Sequence, residues 1–201
     1  MNSKKMLISL IPWVAFTLLA GHAGTGAVGW AAALAGLLTV AIAAWGMRER
    51  AADGSRGSLK VIDAAGIVTF ATMAALAFTG SPTLREHIAD YGRGSCALIL
   101  ALVMLGSVLV VPFTEQYARE SVPRQYWHSP VFRAVNRRIS TVFGLAVLVA
   151  AVCHLYAGYL DAHADLIPAA NLALNWVIPV LSVLAAINYT RARTALARKS
   201  A

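Results

Sequence analysis

The sequence predicts an all-α, polytopic membrane protein in which six transmembrane helices form three hairpins, with both termini in the cytoplasm. Three observations support this fold class. Only 13% of the 201 residues are charged, against about 25% in a typical soluble domain. The mean hydropathy is +0.66. The apolar residues fall into six segments, each close to the roughly 20 residues that cross a bilayer.

The six predicted spans belong to one domain, residues 1–201, and occupy residues 6–23, 28–45, 61–79, 95–113, 139–160 and 172–189. Helices are expected because backbone polar groups inside a bilayer must find their partners within the segment. The first span begins after Lys4 and Lys5 as a signal peptide does. Pro12, Trp13 and a Gly-rich connection to the second span nevertheless favour a retained helix.

The basic residues predict the orientation. All but two of the 17 Lys and Arg residues, Arg85 and Arg93, lie in the segments that share one side of the membrane with the N-terminus. Cytoplasmic loops carry such an excess of Lys and Arg. This side is therefore predicted to be the cytoplasm, and the location to be the bacterial inner membrane.

Two loops carry their own helix signals. In the outer loop 81–92, Ser81 is suited to an N-cap, Pro82 to the first turn and Gly92 to a stop, which predicts a short surface helix. In the cytoplasmic stretch, the fourth helix is expected to continue through Glu115–Glu120 and to end at Pro123.

An amphipathic cytoplasmic segment, residues 115–139, is predicted between the fourth and fifth spans. Ser129 and Pro130 repeat the cap-and-proline signal and start a helix that runs to Leu160. Its first turns carry a basic face that would lie at the cytoplasmic leaflet. The candidate contact residues for a partner or for anionic lipid headgroups are Trp127, Arg133, Asn136, Arg137 and Arg138.

The same arginines have a plainer interpretation as charges that only set topology, and the sequence favours neither interpretation. Glu115 and Glu120 are candidates for ion pairs with this basic cluster.

His154 and Asn175 are the candidates for a polar site inside the membrane. His154 is the one titratable side chain well inside a predicted span, and Pro179 follows Asn175 by one turn. Polar residues inside a bilayer are costly and suggest function, and proline-broken helices line substrate sites in transporters. A packing role for His154, with one hydrogen bond across the bundle, is favoured over a role in ligand binding.

The sequence offers no catalytic or cofactor motif. No nucleophile–base pair, paired carboxylates or P-loop is found, and the histidines share no metal-ligand spacing. Cys96 and Cys153 lie in apolar runs and are interpreted as buried small side chains. We therefore expect a non-enzymatic protein without cofactor, metal or nucleic acid, although Glu115, Glu120 and His128 leave lipid chemistry at the interface open.

The cytoplasmic stretch resembles a known family. Pro123, Trp127 and Asn136 occur in the order found before a late helix in the intracellular septation protein A family, also called inner-membrane-spanning proteins. Those proteins are of similar size and apolar throughout. The resemblance implies a role in cell-envelope maintenance or division through protein partners, and it implies no catalytic residues.

Two functions follow as expectations. The first is a non-enzymatic inner-membrane protein that supports envelope biogenesis or division by binding envelope or division proteins. The second is a small transporter or channel subunit with His154 and Asn175 lining a pathway. Six helices enclose little space, so the second function favours a homo-oligomer.

Overall fold

In a computed structural model, the chain is described over residues 3–21, 24–52, 58–164 and 167–199, with side chains given except at 3 and 194–199. These residues form helices and short connections and contain no strand. The helices are α1 (Ser3–Ala20), α2 (Val28–Ala52), α3 (Val61–Thr79), α4 (Pro82–Val110), α5 (Phe113–Ala118), α6 (Pro130–His163), α7 (Pro168–Leu172) and α8 (Ile178–Lys199). A 3₁₀ turn at Arg124–Tyr126 precedes α6, and a π turn at Ala173–Val177 joins α7 to α8.

Within the described residues, five helical segments are long and apolar enough to cross a membrane: α2, α3, α4, α6 and the continuous stretch Pro168–Arg193. The predicted all-helical, multi-pass class is therefore confirmed. Large apolar side chains cover the outside of the bundle; Leu109 and Val110 are 80% and 86% exposed. A soluble monomer rarely exposes such continuous apolar surface, whereas a bilayer solvates it.

The helices alternate in direction, so the bundle has two ends. The Lys5 end contains the starts of α1, α3 and α6 and the ends of α2, α4 and α8. The Gly21 end contains the opposite termini. The α4–α6 pair packs most closely, because glycines remove side chains from the interface. A Cβ at Gly158 would overlap the Asp90 carbonyl oxygen, and one at Gly94 would lie 2.7 Å from the Leu155 backbone nitrogen.

The predicted stop at Gly92 is wrong. Ser81 does cap the helix, since its Oγ accepts a hydrogen bond from the Leu84 N–H at 3.3 Å. The helix then continues through Gly92 for 29 residues. Glycine costs a helix interior only about 1 kcal/mol. Here Gly92 is buried at the approach of α4 to Phe16 and Met73, each 3.8 Å from its Cβ position.

The expected extension of the fourth helix through Glu120 is also wrong. Pro112 disfavours helical geometry in the residue before it, and Val111 is extended with φ −136° and ψ 110°. The chain turns there and starts α5 as a separate short helix. The Ser129–Pro130 start is confirmed, because Ser129 Oγ accepts from the Phe132 N–H at 3.1 Å. At 34 residues, α6 is about 51 Å long.

A buried polar contact holds α5 against α6. Thr114 is fully buried, and its Oγ1 donates to the Asn136 carbonyl oxygen at 3.0 Å. Its backbone N–H donates to Ser140 Oγ at 3.3 Å, and the two hydroxyls lie 2.8 Å apart. The contact satisfies polar groups that would otherwise be buried without partners. It fixes the chain that follows α4 across the Lys5 end.

Candidate binding cavity at the Gly21 end

A cavity of about 360 Å³ opens at the Gly21 end between α1, α4, α6 and α7 with its π turn. This volume is at the lower end of the range typical of small-molecule sites. Its polar lining residues are Thr25, Asp90, Arg93, His154, Asp161, Asn171 and Asn175. The remaining lining residues are alanines and glycines. The cavity is therefore suited to a small polar molecule.

A chain of hydrogen bonds crosses the wall of the cavity. The buried His154 donates from Nδ1 to Asn175 Oδ1 at 2.9 Å. Asn175 Nδ2 then donates to Asn171 Oδ1 at 2.7 Å. Because the amide oxygen accepts, Nδ1 carries a proton. The sequence pairing of His154 with Asn175 thus corresponds to a direct contact.

The local chain geometry explains where Asn175 lies. Pro179 has no N–H to give to the Asn175 carbonyl four residues earlier, and its ring crowds that carbonyl. The helix widens into the π turn Ala173–Val177, in which the Ile178 N–H bonds to the Ala173 carbonyl. Single π turns inside helices often occur at functional sites. Here the π turn brings Asn175 to His154.

Arg93 supplies the positive charge of the cavity. A Cβ at Gly21 would overlap the Arg93 guanidinium, so this group lies directly against the Gly21 backbone. Within the described residues, no carboxylate lies within 4.0 Å of it. The guanidinium therefore packs against the α1 backbone and has no ion-pair partner in the part of the chain that the structure describes.

Below the cavity, aromatic rings fill the centre of the bundle. The ring centroids of Phe16 and Phe70 are 5.4 Å apart, and those of Trp13 and Phe70 are 4.9 Å apart. Phe16 and Phe70 are fully buried. We call these three residues the aromatic layer. It separates the cavity from the other end of the bundle.

A cluster of charges closes the Lys5 end. Glu120 lies 2.7 Å from Lys60 Nζ, 3.2 Å from Arg50 Nη1 and 3.8 Å from Lys5 Nζ. Lys5 also pairs with Glu49 at 2.6 Å. We call these five residues the ionic closure. It ties together α1, α2, the start of α3 and the chain after α5.

The ionic closure sets the protonation of its members. Burial alone would raise the pKa of Glu120, but the hydrogen bond from Lys60 and the surrounding cations outweigh burial and hold this pKa below its usual value. Burial lowers the pKa of Lys60, and Glu120 only partly offsets that effect. Lys60 Nζ also lies 3.9 Å from the centre of the Tyr117 ring. Both charged forms therefore depend on the pair staying together.

Buried polar groups continue from the ionic closure into the bundle. Asp63 is 4% exposed and Tyr117 is fully buried, and the Ser9 hydroxyl lies beside both. Burial raises the pKa of the Tyr117 phenol. Across the described part of the chain, Asp63 Oδ1 and the Tyr117 hydroxyl make no hydrogen bond. This region is polar but closed to solvent.

The structure separates the five residues predicted to contact partners. Arg133, Arg137 and Arg138 are exposed on α6 at the Lys5 end. Asn136 is 3% exposed, and its side chain donates to the Phe132 carbonyl oxygen at 2.8 Å, so its side chain faces the interior. Trp127 is half-buried, and its Nε1 donates to the Val122 carbonyl oxygen at 2.8 Å.

The suggested pairing of Glu115 and Glu120 with this arginine cluster is wrong. Glu115 accepts from Arg119 Nε at 3.1 Å, and Glu120 belongs to the ionic closure.

Sequence reasoning missed Arg93, Asp90 and Asp161 as site residues. The sequence marks Arg93 only as an exception to the charge asymmetry. That exception could have pointed to a site, because Arg93 is a cation on the side of the membrane where cations are disfavoured. The contribution of the Gly21 end of α1 to the cavity could not be read from periodicity. Comparison of the chain with family models, curated proteins and solved structures finds no match.

Proposed function

We propose that this chain is a small transporter subunit of the bacterial inner membrane, non-enzymatic, with six spans and with the Lys5 end in the cytoplasm. In this proposal α1 is the first span. It packs along α2, α3 and α4 and places Trp13 and Phe16 in the core. The excess of Lys and Arg in the segments at the Lys5 end supports the orientation.

One observation carries the transport proposal: the bundle is open at one end and closed at the other. The cavity lies at the Gly21 end, and along α1 the aromatic layer and then the ionic closure lie between it and the other end of the bundle. From Ala20 to Lys5 the distance along α1 is about 23 Å. A transporter exposes a site near the middle of the bundle to one side at a time, and this arrangement corresponds to its outward-open state.

The π turn before Pro179 adds support. Discontinuous helices in transporters place polar groups at the substrate site and allow parts of the helix to move separately. Asn175 occupies this position and bonds to His154 on α6. Because the bundle is slim, we propose that the working form is a homo-oligomer.

Cysteine accessibility tests the proposal. Ala89→Cys, half-buried on the cavity wall, and Ser9→Cys, buried at the Lys5 end, are made separately with Cys96 and Cys153 replaced by alanine. A membrane-impermeant maleimide applied to spheroplasts should label Ala89→Cys and spare Ser9→Cys. Ser121→Cys, exposed at the Lys5 end, is the control and should react only in inverted vesicles. Labelling of Ala89→Cys only in inverted vesicles would contradict the orientation, and labelling from neither side would contradict the open cavity.

A second candidate function is support of envelope biogenesis or division through protein partners. The observation that favours it is the exposed arginine surface on α6, which belongs to the segment that resembles the septation protein family. Anionic lipid headgroups are the alternative ligand of this surface. A mild-detergent pull-down of the wild-type chain should recover envelope or division proteins that an Arg137→Ala/Arg138→Ala variant loses. Recovery of the same proteins with both chains would count against this candidate.

A further inference from the structure

The cavity at the Gly21 end contains charges of both signs that do not neutralise one another. Asp90 and Arg93 lie three residues apart on α4, and Asp161 lies on the same face of α6 as His154. Among the residues that the structure describes, none of these three charged side chains forms an ion pair within 4.0 Å. Arg93 and Asp90 are half-buried, and a charge that is partly withdrawn from water is costly unless something pairs with it.

From this arrangement we infer that the ligand is a small zwitterion with a primary ammonium and a carboxylate or phosphate group. This inference rests on the proposed function and names the substrate class of its site. A lone anion would be attracted to Arg93 but repelled by the two carboxylates. A lone cation would be attracted to the carboxylates but repelled by Arg93. Only a ligand with both charges satisfies both sets of groups.

The Arg93 guanidinium suits the anionic half of the ligand. A guanidinium presents a planar fork of N–H donors that matches the two oxygens of a carboxylate or phosphate. At Gly21 the absence of a side chain leaves room for this group beside α1. The fork is therefore positioned by packing before any ligand arrives, which reduces the entropy lost on binding.

The lining of the cavity suits a primary ammonium rather than a quaternary one. Quaternary ammonium groups are recognised by aromatic cages, but no Phe, Tyr or Trp belongs to the described lining. A primary ammonium instead needs hydrogen-bond acceptors, which the carboxylates of Asp90 and Asp161 provide. The small side chains of the other lining residues leave little apolar surface for an acyl chain. The ligand is thus either a free amino-acid-like solute or the headgroup of an ethanolamine lipid.

Isothermal titration of the full chain in dodecyl maltoside tests the inference. The zwitterionic probes are glycine for the free solute and glycerophosphoethanolamine for the lipid headgroup. Ethanolamine, glycerol phosphate and glycerophosphocholine are the cationic, anionic and quaternary controls. We expect at least one zwitterionic probe to bind roughly tenfold or more tightly than every control, as expected for charged hydrogen bonds. Binding of glycine alone would identify a free solute, and binding of glycerophosphoethanolamine alone a headgroup.

Two variants test which residue binds each half of the ligand. Arg93→Gln and Asp161→Asn should each weaken binding of the zwitterion by about tenfold or more. Asp161 is exposed, so its variant remains informative if Arg93→Gln fails to fold. Glu86→Gln, on α4 outside the cavity, is the matched control and should bind as the wild type does.

Three results would overturn the inference. If glycerol phosphate or ethanolamine bound as tightly as the zwitterion, the ligand would not need both charges. If glycerophosphocholine bound as tightly, the ligand would not need a primary ammonium. Binding of no probe at all would reject the ligand class. In each case the labelling of Ala89→Cys would still decide independently whether the cavity opens to the outside, so the two proposals fail separately.

Discussion

Replacement of Glu120 by glutamine should weaken the ionic closure more than any other single change of charge. This carboxylate lies within 4.0 Å of three cations, and the Lys60 side chain beneath it is only 8% exposed. Removing one partner of a buried pair typically costs 3–5 kcal/mol, because the other charge stays buried. Lys60 keeps its contact with the Tyr117 ring, and Glu120 is 15% exposed. We therefore expect a cost of about 3 kcal/mol.

That cost predicts a fall in the melting temperature of about 6–12 °C for a chain of this length. The assay is thermal unfolding in dodecyl maltoside with a thiol-reactive fluorogenic dye, which reports exposure of the buried Cys96. Glu86→Gln, on the exposed side of α4, removes a carboxylate that has no ion pair among the described residues and should leave the melting temperature unchanged. A melting temperature of Glu120→Gln within about 1 °C of the wild type would show that no pair worth about 3 kcal/mol exists.

Three further perturbations test other parts of the structure in the same thermal assay. Gly158→Ala should destabilise the bundle by about 1–3 kcal/mol because its Cβ would overlap the Asp90 carbonyl oxygen; Gly106→Ala, with nothing within 4 Å, should not, and equal effects would contradict the close approach of α4 and α6. Thr114→Val removes the hydroxyl that bonds α5 to α6 and should cost about 1–2 kcal/mol, whereas an unchanged melting temperature would argue against that contact. The pKa of Glu120 is lowered from 4.5, so its stabilising contribution is complete above that pH and is lost as the pH falls through the folded pKa. Acidification below this pH should therefore lower the melting temperature of the wild type more than that of Glu120→Gln, and parallel losses would exclude this role.

Hydrophobic patterning predicted most of the fold. Apolar segments of about 20 residues must be helical in a bilayer, so α2, α3 and α6 were found from length and composition. Local cap signals at Ser81 and Ser129 were also read correctly, because a cap depends only on neighbouring residues. The errors occurred at Gly92 and Pro112. A glycine can end a helix or let two helices approach, and only the tertiary contacts of Gly92 distinguish these roles.

The candidate site was harder to predict than the fold. His154 and Asn175 were recognised because polar residues stand out in apolar spans. Arg93 and Asp161 lie near span ends, where charged residues are common, so nothing local marks them as cavity residues. The partners of Glu120 come from positions far apart in the chain, at residues 5, 50 and 60. Such long-range pairing cannot be read from periodicity.

We propose that the cavity and the ionic closure lie at opposite ends of one pathway that opens to one side of the membrane at a time, and reciprocal labelling tests this coupling. Maleimide labelling rates of Ala89→Cys and Ser9→Cys are measured in oriented membranes, with and without Glu120→Gln. Weakening the ionic closure by about 3 kcal/mol corresponds to a shift of roughly a hundredfold between open states. We predict that Ser9→Cys becomes reactive from the cytoplasmic side while Ala89→Cys becomes less reactive from the outside. Unchanged labelling of Ala89→Cys, with or without new reactivity at Ser9→Cys, would contradict the coupling of the two ends.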